Sequence, residues 1–176
     1  GETVINGGTF TNNDIGSRTL TSHVVDVEDG GTHKLTINGG TFQHLHSATS
    51  GGVVICNRTT GTVYVNGGNF SGGNYYGNDN LSDYGYGGTF AVTGGTYSAK
   101  PAAKYIVDGY KVVEKDGKYY VTAESVDAVV STTTDLQDAL ANGEDVLLAG
   151  DIAVTNTEAG GTNYGKTGVN QSNGGV

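Results

Sequence analysis

One stretch of the chain concentrates side chains that could hold a ligand: Gly72-Gly73-Asn74-Tyr75-Tyr76-Gly77-Asn78-Asp79-Asn80-Leu81-Ser82-Asp83-Tyr84-Gly85-Tyr86. Tyr rings offer flat apolar faces to the C–H faces of sugars, and Asn and Asp pair with hydroxyls. Tyr75, Tyr76, Asp79, Asp83, Tyr84 and Tyr86 are therefore the candidate ligand-binding residues. A loop folded over the side of a scaffold, its rings serving as cover, would use the same composition, and both readings stand. Asp79, Asn80, Ser82 and Asp83 also carry the oxygen donors that calcium takes. Neither the EF-hand spacing nor the Gly-Gly-x-Gly-x-Asp nonapeptide is present, so no metal site is assigned to them.

The other chemistry-bearing groups are sparse. His23, His33, His44 and His46 fall within one short stretch, and His44-Leu45-His46 puts two imidazoles on one strand face. No Cys lies near that pair and no carboxylate repeats the geometry, so surface histidines are expected. Asp26, Glu28 and Asp29 form an acidic group beside His33 that could in principle do acid–base work. A solvated charged turn at Glu28-Asp29-Gly30-Gly31 explains it adequately. Cys56 is the one cysteine, so no intrachain disulfide forms, and its apolar setting in Val53-Val54-Ile55-Cys56 reads as a buried small hydrophobe. No catalytic residue and no cofactor is assigned, and an enzyme is not expected.

The elements that must position these groups come from a repeat. Thr3-Val4-Ile5-Asn6-Gly7-Gly8-Thr9-Phe10 aligns with Leu35-Thr36-Ile37-Asn38-Gly39-Gly40-Thr41-Phe42. Val63-Tyr64-Val65-Asn66-Gly67-Gly68-Asn69-Phe70 and Phe90-Ala91-Val92-Thr93-Gly94-Gly95-Thr96-Tyr97 follow, at spacings of 32, 28 and 27 residues. Ile5, Ile37, Val65 and Val92 share a column, as do Leu35, Val63 and Phe90 two residues earlier. That is the period of a strand with one buried face. Phe10, Phe42, Phe70 and Tyr97 make an aromatic column, which in parallel strands becomes a ladder with rungs about 4.8 Å apart. The Gly pair suits a sharp bend between sheets, and the Asn before it suits a stack of amides. Val24-Val25-Asp26-Val27 and Val53-Val54-Ile55-Cys56 supply a third strand for each repeat. No helix-forming segment lies between the repeats, which excludes a helical repeat there.

The repeated Ile/Val-Asn-Gly-Gly-Thr-Phe unit resembles the coils of pectin-lyase-like β-helix modules in bacterial cell-surface proteins. Residues 105 to 121 resemble the hairpin that closes such a module. The resemblance covers roughly residues 1 to 155 and implies an all-β fold: a right-handed parallel β-helix solenoid, three strands per coil, closed by a β-hairpin. It implies residence outside the cell or at its surface and a ligand-display role, through adhesion or carbohydrate binding to a glycan or host-surface ligand. A fragment of a β-helix polysaccharide lyase or glycoside hydrolase and a phage tail-fibre segment remain as alternatives. Lyases of this fold need an Arg or Lys base near calcium-binding Asp residues, and neither Arg18 nor Arg58 lies in such a motif. The polygalacturonase signatures Asn-Thr-Asp, Gly-His-Gly and Arg-Ile-Lys are absent as well.

Three parts are expected: coils over 1–98, a capping hairpin over 99–125, and over 126–176 the start of a second module. Asp116-Gly117 between two alternating strands is a hairpin signal. Thr134-Asp135-Leu136-Gln137 reads as a capping box that opens a short helix, with Leu136, Ala139 and Leu140 on one face and Asn142-Gly143 at its end. Val146 to Ala149 reads as a buried strand. The segment after Val126 is expected to pack against a β-helix edge, either by folding back within the chain or by joining a neighbour in head-to-tail self-association.

Composition narrows the partners. The 176 residues carry a net charge of −9, which disfavours nucleic acid and anionic membranes, both of which want a basic face. The 31 Gly and 35% hydrophobic residues suit a thin-cored repeat better than a thick globular core. No transmembrane run, signal peptide or lipidation signal is visible, so no membrane insertion is expected. The absence of Met, position 1 included, suggests a processed chain or a piece of a longer one.

Overall fold

The computed structural model describes residues 1–13, 22–28, 33–45, 52–73, 80–83 and 85–152. Among the described residues it is mostly strand with one α-helix, and the chain divides into two compact units, Gly1–Ala123 and Glu124–Val176. No helix among the described residues is long and apolar enough to cross a membrane.

Among its described residues the first unit holds three sheets, parallel throughout except for the hairpin that extends the second. The first orders β1 (Glu2–Ile5), β4 (Lys34–Ile37), β7 (Thr62–Val65) and β10 (Thr89–Val92). The second orders β2 (Thr9–Asn12), β5 (Thr41–His44), β8 (Asn69–Gly72) and β11 (Thr96–Tyr97). The third orders β3 (Val25–Val27), β6 (Ile55–Asn57) and β9 (Leu81–Ser82). Successive repeats are thus hydrogen-bonded neighbours in each sheet, and the columns read from the sequence are the observed register. Ile5, Ile37, Val65 and Val92 are partners across the first sheet, and so are Leu35, Val63 and Phe90. Burial follows: Ile37, Val63, Val65 and Val92 are fully enclosed.

The aromatic column forms the ladder that its spacing predicts. Phe10, Phe42, Phe70 and Tyr97 stack at 4.8, 5.1 and 4.9 Å with nearly parallel rings. Each ring lies about where the sheet's own strand spacing puts it, so backbone pairing and ring stacking reinforce each other. The Tyr97 hydroxyl finds a partner by donating to Gly94 O at 2.9 Å, and burial pushes its pKa up.

Between the first two sheets the chain bends at the Gly pair. The second Gly has a positive φ in every repeat (108°, 115°, 113° and 105° at Gly8, Gly40, Gly68 and Gly95), a conformation that a Cβ would strain. Beside it an amide ladder runs along the bend. Asn38 Nδ2 donates to Asn6 Oδ1 at 2.9 Å, and Asn66 Nδ2 to Asn38 Oδ1 at 2.9 Å. Thr93 Oγ1 ends it by donating to Asn66 Oδ1 at 2.9 Å. A second polar device escaped the sequence reading. Buried Asn57 donates to Gly61 O and Thr89 O and accepts from Thr59, tying the corner between the third and first sheets. Its four bonds meet the cost of enclosing an amide.

The hairpin closes on Asp116 and Gly117, both at positive φ (52° and 71°), as a two-residue connection between twisted strands requires. Its strands β12 (Tyr110–Lys115) and β13 (Lys118–Ala123) extend the second sheet, with β13 antiparallel to β11.

The second unit is a strand–helix–strand element. β14 (Ala128–Val130), not foreseen from the sequence, pairs in parallel with β15 (Val146–Leu148) across α1 (Thr133–Asn142). The helix starts two residues earlier than the capping box suggested. Thr132 is the cap, and its hydroxyl accepts from Asp135 N–H at 3.1 Å, the three-residue offset that a first helical turn sets. Gly143 ends it in the left-handed region, as expected. Ala139 is buried, but Leu140 and Leu148 are exposed, so neither the apolar helix face nor the strand is as enclosed as its composition implied.

Candidate functional site

The Tyr-rich segment lies partly outside the described residues. Tyr75, Tyr76, Asp79 and Tyr84 lie outside the described residues. Asp83 and Tyr86 share a turn, Tyr86 N–H donating to Asp83 O at 2.9 Å, but their side chains serve different ends. Asp83 accepts from Lys104 Nζ at 3.0 Å and from Gly85 N–H at 3.2 Å, while its own N–H meets the Tyr105 hydroxyl at 3.3 Å. Burial alone would raise the Asp83 pKa, but the Lys104 ammonium and the Gly85 N–H hold it below its ordinary value. This carboxylate anchors the turn. Asn80, considered as a calcium donor, is buried with its amide bonded to Gly72 O, Ser98 Oγ and Ala99 N–H, so it is committed to structure.

Tyr86 is exposed and lines a cavity of about 410 Å³ together with Glu28, Arg58 and Thr60. The cavity flanks the third sheet, where strand alternation turns Val25, Ile55 and Leu81 inward and Asp26, Cys56 and Ser82 to the other face. Asp26 and Cys56 are direct partners in register, and so are Cys56 and Ser82. Arg58 reaches back one repeat. Its Nε donates to Asp26 Oδ1 at 3.0 Å, and its terminal nitrogen bonds both Asp26 Oδ2 and Glu28 Oε1. The Asp26 hydrogen bonds raise the guanidinium's pKa, keeping it charged.

His23 enters this face from the preceding bend, where Asn12 and Val53 pin it. Asn12 Nδ2 holds its carbonyl at 2.7 Å, and Val53 N–H donates to its Nδ1 at 3.2 Å. The two segments meet this closely because Gly52 has no side chain: a Cβ there would lie 1.3 Å from Ser22 O. Nearby, His44 Nε2 donates to Ser22 O at 3.2 Å and lies 3.1 Å from Ser22 Oγ. His44 is buried, which corrects the expectation of surface histidines. Its neighbours in register, Asn12 and Gly72, leave room for a ring that the backbone at Ser22 can satisfy. Burial lowers the His23 pKa, outweighing the neighbouring Asp26 carboxylate.

Donor atoms of His23, Asp26 and Cys56 all lie within 4.8 Å of one another. Cys56 is enclosed as expected, but its surroundings are polar rather than apolar. Burial first, and the Asp26 carboxylate second, push its thiol up to about 12. A thiol that keeps its proton is a poor nucleophile. The expected Asp26–Glu28–His33 grouping is replaced by Asp26 and Glu28 on Arg58, and Asp29 lies outside the described residues. One signal could have found this. Aligning Asp26-Val27-Glu28 with Cys56-Asn57-Arg58 at the third strand puts opposite charges in one column, 30 residues apart.

No known protein family, curated protein or solved structure matches the chain.

Proposed function

We propose that residues 1–123 are a stretch of right-handed parallel β-helix, a scaffold from a secreted or cell-surface bacterial protein that presents a carbohydrate-binding face. The in-register repeat supports the architecture, because one strand per sheet per repeat is what a chain winding through coils would leave. Parallel crossovers are right-handed in nearly all proteins, which supports the hand.

The observation that carries the binding role is the cavity beside the third sheet. There the exposed Tyr86 ring stands near the Arg58–Glu28 pair and the Thr60 hydroxyl. An aromatic face with fixed charged donors and acceptors around it is the mixture that a saccharide needs, apolar on one side and hydroxyl-bearing on the other. The net charge of −9 favours neutral or amino sugars over polyuronates.

A glycan array probed with the full chain tests the reading. Binding to a defined glycan, weakened at least tenfold in Tyr86→Ser with an unchanged melting curve, is expected. An array without signal, or full affinity in Tyr86→Ser, refutes it. Release of new reducing ends from the bound glycan would replace display with catalysis.

A further inference from the structure

We propose that His23, Asp26 and Cys56 form a binding site for a divalent transition-metal ion, zinc being the best fit. Three donor types from two strands and the bend before them converge, each atom within 4.8 Å of the others. A tetrahedral zinc site, with bonds of roughly 2.0 Å to nitrogen and oxygen and 2.3 Å to sulfur, keeps its donors about 3.3–3.7 Å apart. The cluster therefore needs to close by about 1 Å, within the reach of side-chain rotation. The backbones are already in place. Cys56 sits on the central strand of its sheet, Asp26 is its partner in register, and Gly52 lets the His23 bend approach.

The donor chemistry selects the ion. Imidazole, carboxylate and thiolate together suit zinc or cobalt, whereas calcium and magnesium take oxygen alone. Binding releases the Cys56 proton to solvent, and the resulting thiolate together with the Asp26 carboxylate balances the two charges of the ion. With three protein ligands, the fourth position is left to solvent.

Two existing interactions involve these donors. Arg58 now holds both Asp26 oxygens, but it also bonds Glu28, which keeps the guanidinium in place when one Asp26 oxygen turns to the ion. Arg58 then orients the ligand carboxylate from outside the coordination sphere. Where His23 coordinates through Nδ1, its 3.2 Å bond from Val53 N–H gives way to the coordinate bond. This site stands independently of saccharide binding at Tyr86.

The experiment is a titration of the reduced full chain with Co²⁺, followed by Zn²⁺ displacement. One equivalent of Co²⁺ should produce a thiolate-to-cobalt charge-transfer band and the strong visible bands of a four-coordinate ion, both bleached by zinc. Cys56→Ser should remove the charge-transfer band. His23→Gln and Asp26→Asn should each weaken Co²⁺ binding at least tenfold, while melting curves in chelator match the parent. Where Asp26→Asn fails to fold, His23→Gln decides alone. A parent chain without the charge-transfer band overturns the proposal. So does cobalt affinity that survives Cys56→Ser, which would put the ion elsewhere, or a band of undiminished affinity in His23→Gln.

Discussion

In the second sheet, Phe10, Phe42, Phe70 and Tyr97 stack ring on ring. On the outer face of the third, Asp26, Cys56 and Ser82 stand in the same relation, and no two are alike. Both columns come from the same repeats and obey the same strand spacing. The first is uniform because its neighbours are copies of itself, so each position meets one environment and one best residue. The second is turned away from the apolar cluster, with Cys56 enclosed among polar groups, and its unlike residues meet each other's chemistry: carboxylate against thiol, and guanidinium against two acids. In a stacked repeat, then, sameness along a column marks stability, and departure from it marks a candidate site.

The contrast breaks most visibly at Ile37. Ile37→Asp encloses an unpaired charge in the inner column and should cost upwards of about 4 kcal/mol, removing cooperative unfolding by circular dichroism. A melt within a degree or two of the parent would mean that the inner column does not hold the repeats together. Phe42→Ala, at the middle of the ring ladder, should cost about 3–5 kcal/mol in chemical denaturation through the cavity it leaves. An effect well under 1 kcal/mol would put the ring in solvent.

Gly40→Ala sharpens the comparison within one bend. It forces a Cβ into a φ of 115° and 3.0 Å from Gly8 O, and about 1–3 kcal/mol should be lost. Gly7→Ala, with nothing within 4 Å, should shift stability by no more than about 0.5 kcal/mol. Equal effects at the two positions would remove conformation as the reason for the second Gly.

On the outer face, Cys56→Ser should change the stability of the metal-free chain by only about 1 kcal/mol, because a hydroxyl can still face Asp26. A loss as large as at Phe42 would make this column structural too. The smallest effect is expected at Asp83. Its folded pKa is depressed, so its stabilising share is present above the ordinary value of 3.8 and is lost as pH falls through the lower folded value. Asp83→Asn should cost under about 1 kcal/mol at neutral pH, and the gap between parent and variant should close in acid. A gap that persists in acid would assign the effect to shape rather than charge.

The repeat columns were legible in the sequence because period-two alternation and the Gly pair recur at nearly constant spacing. A parallel stack translates that spacing directly into register. Ile37, Phe42 and the Asn6–Asn38–Asn66 ladder follow from it, while the Asp116-Gly117 hairpin follows from its turn residues between alternating strands. The candidate site was legible only in fragments. Tyr86 and Asp83 belonged to the singled-out segment, yet only Tyr86 lines the cavity, because Lys104, 21 residues on, claims Asp83. Cys56 read as apolar because its sequence neighbours are Val and Ile. Its real neighbours, Asp26 and Arg58's guanidinium, are set by the stacking of one repeat on the last. Local pattern determines which face a residue takes; what it meets there depends on residues about 30 positions away, and only the tertiary pairing decides that.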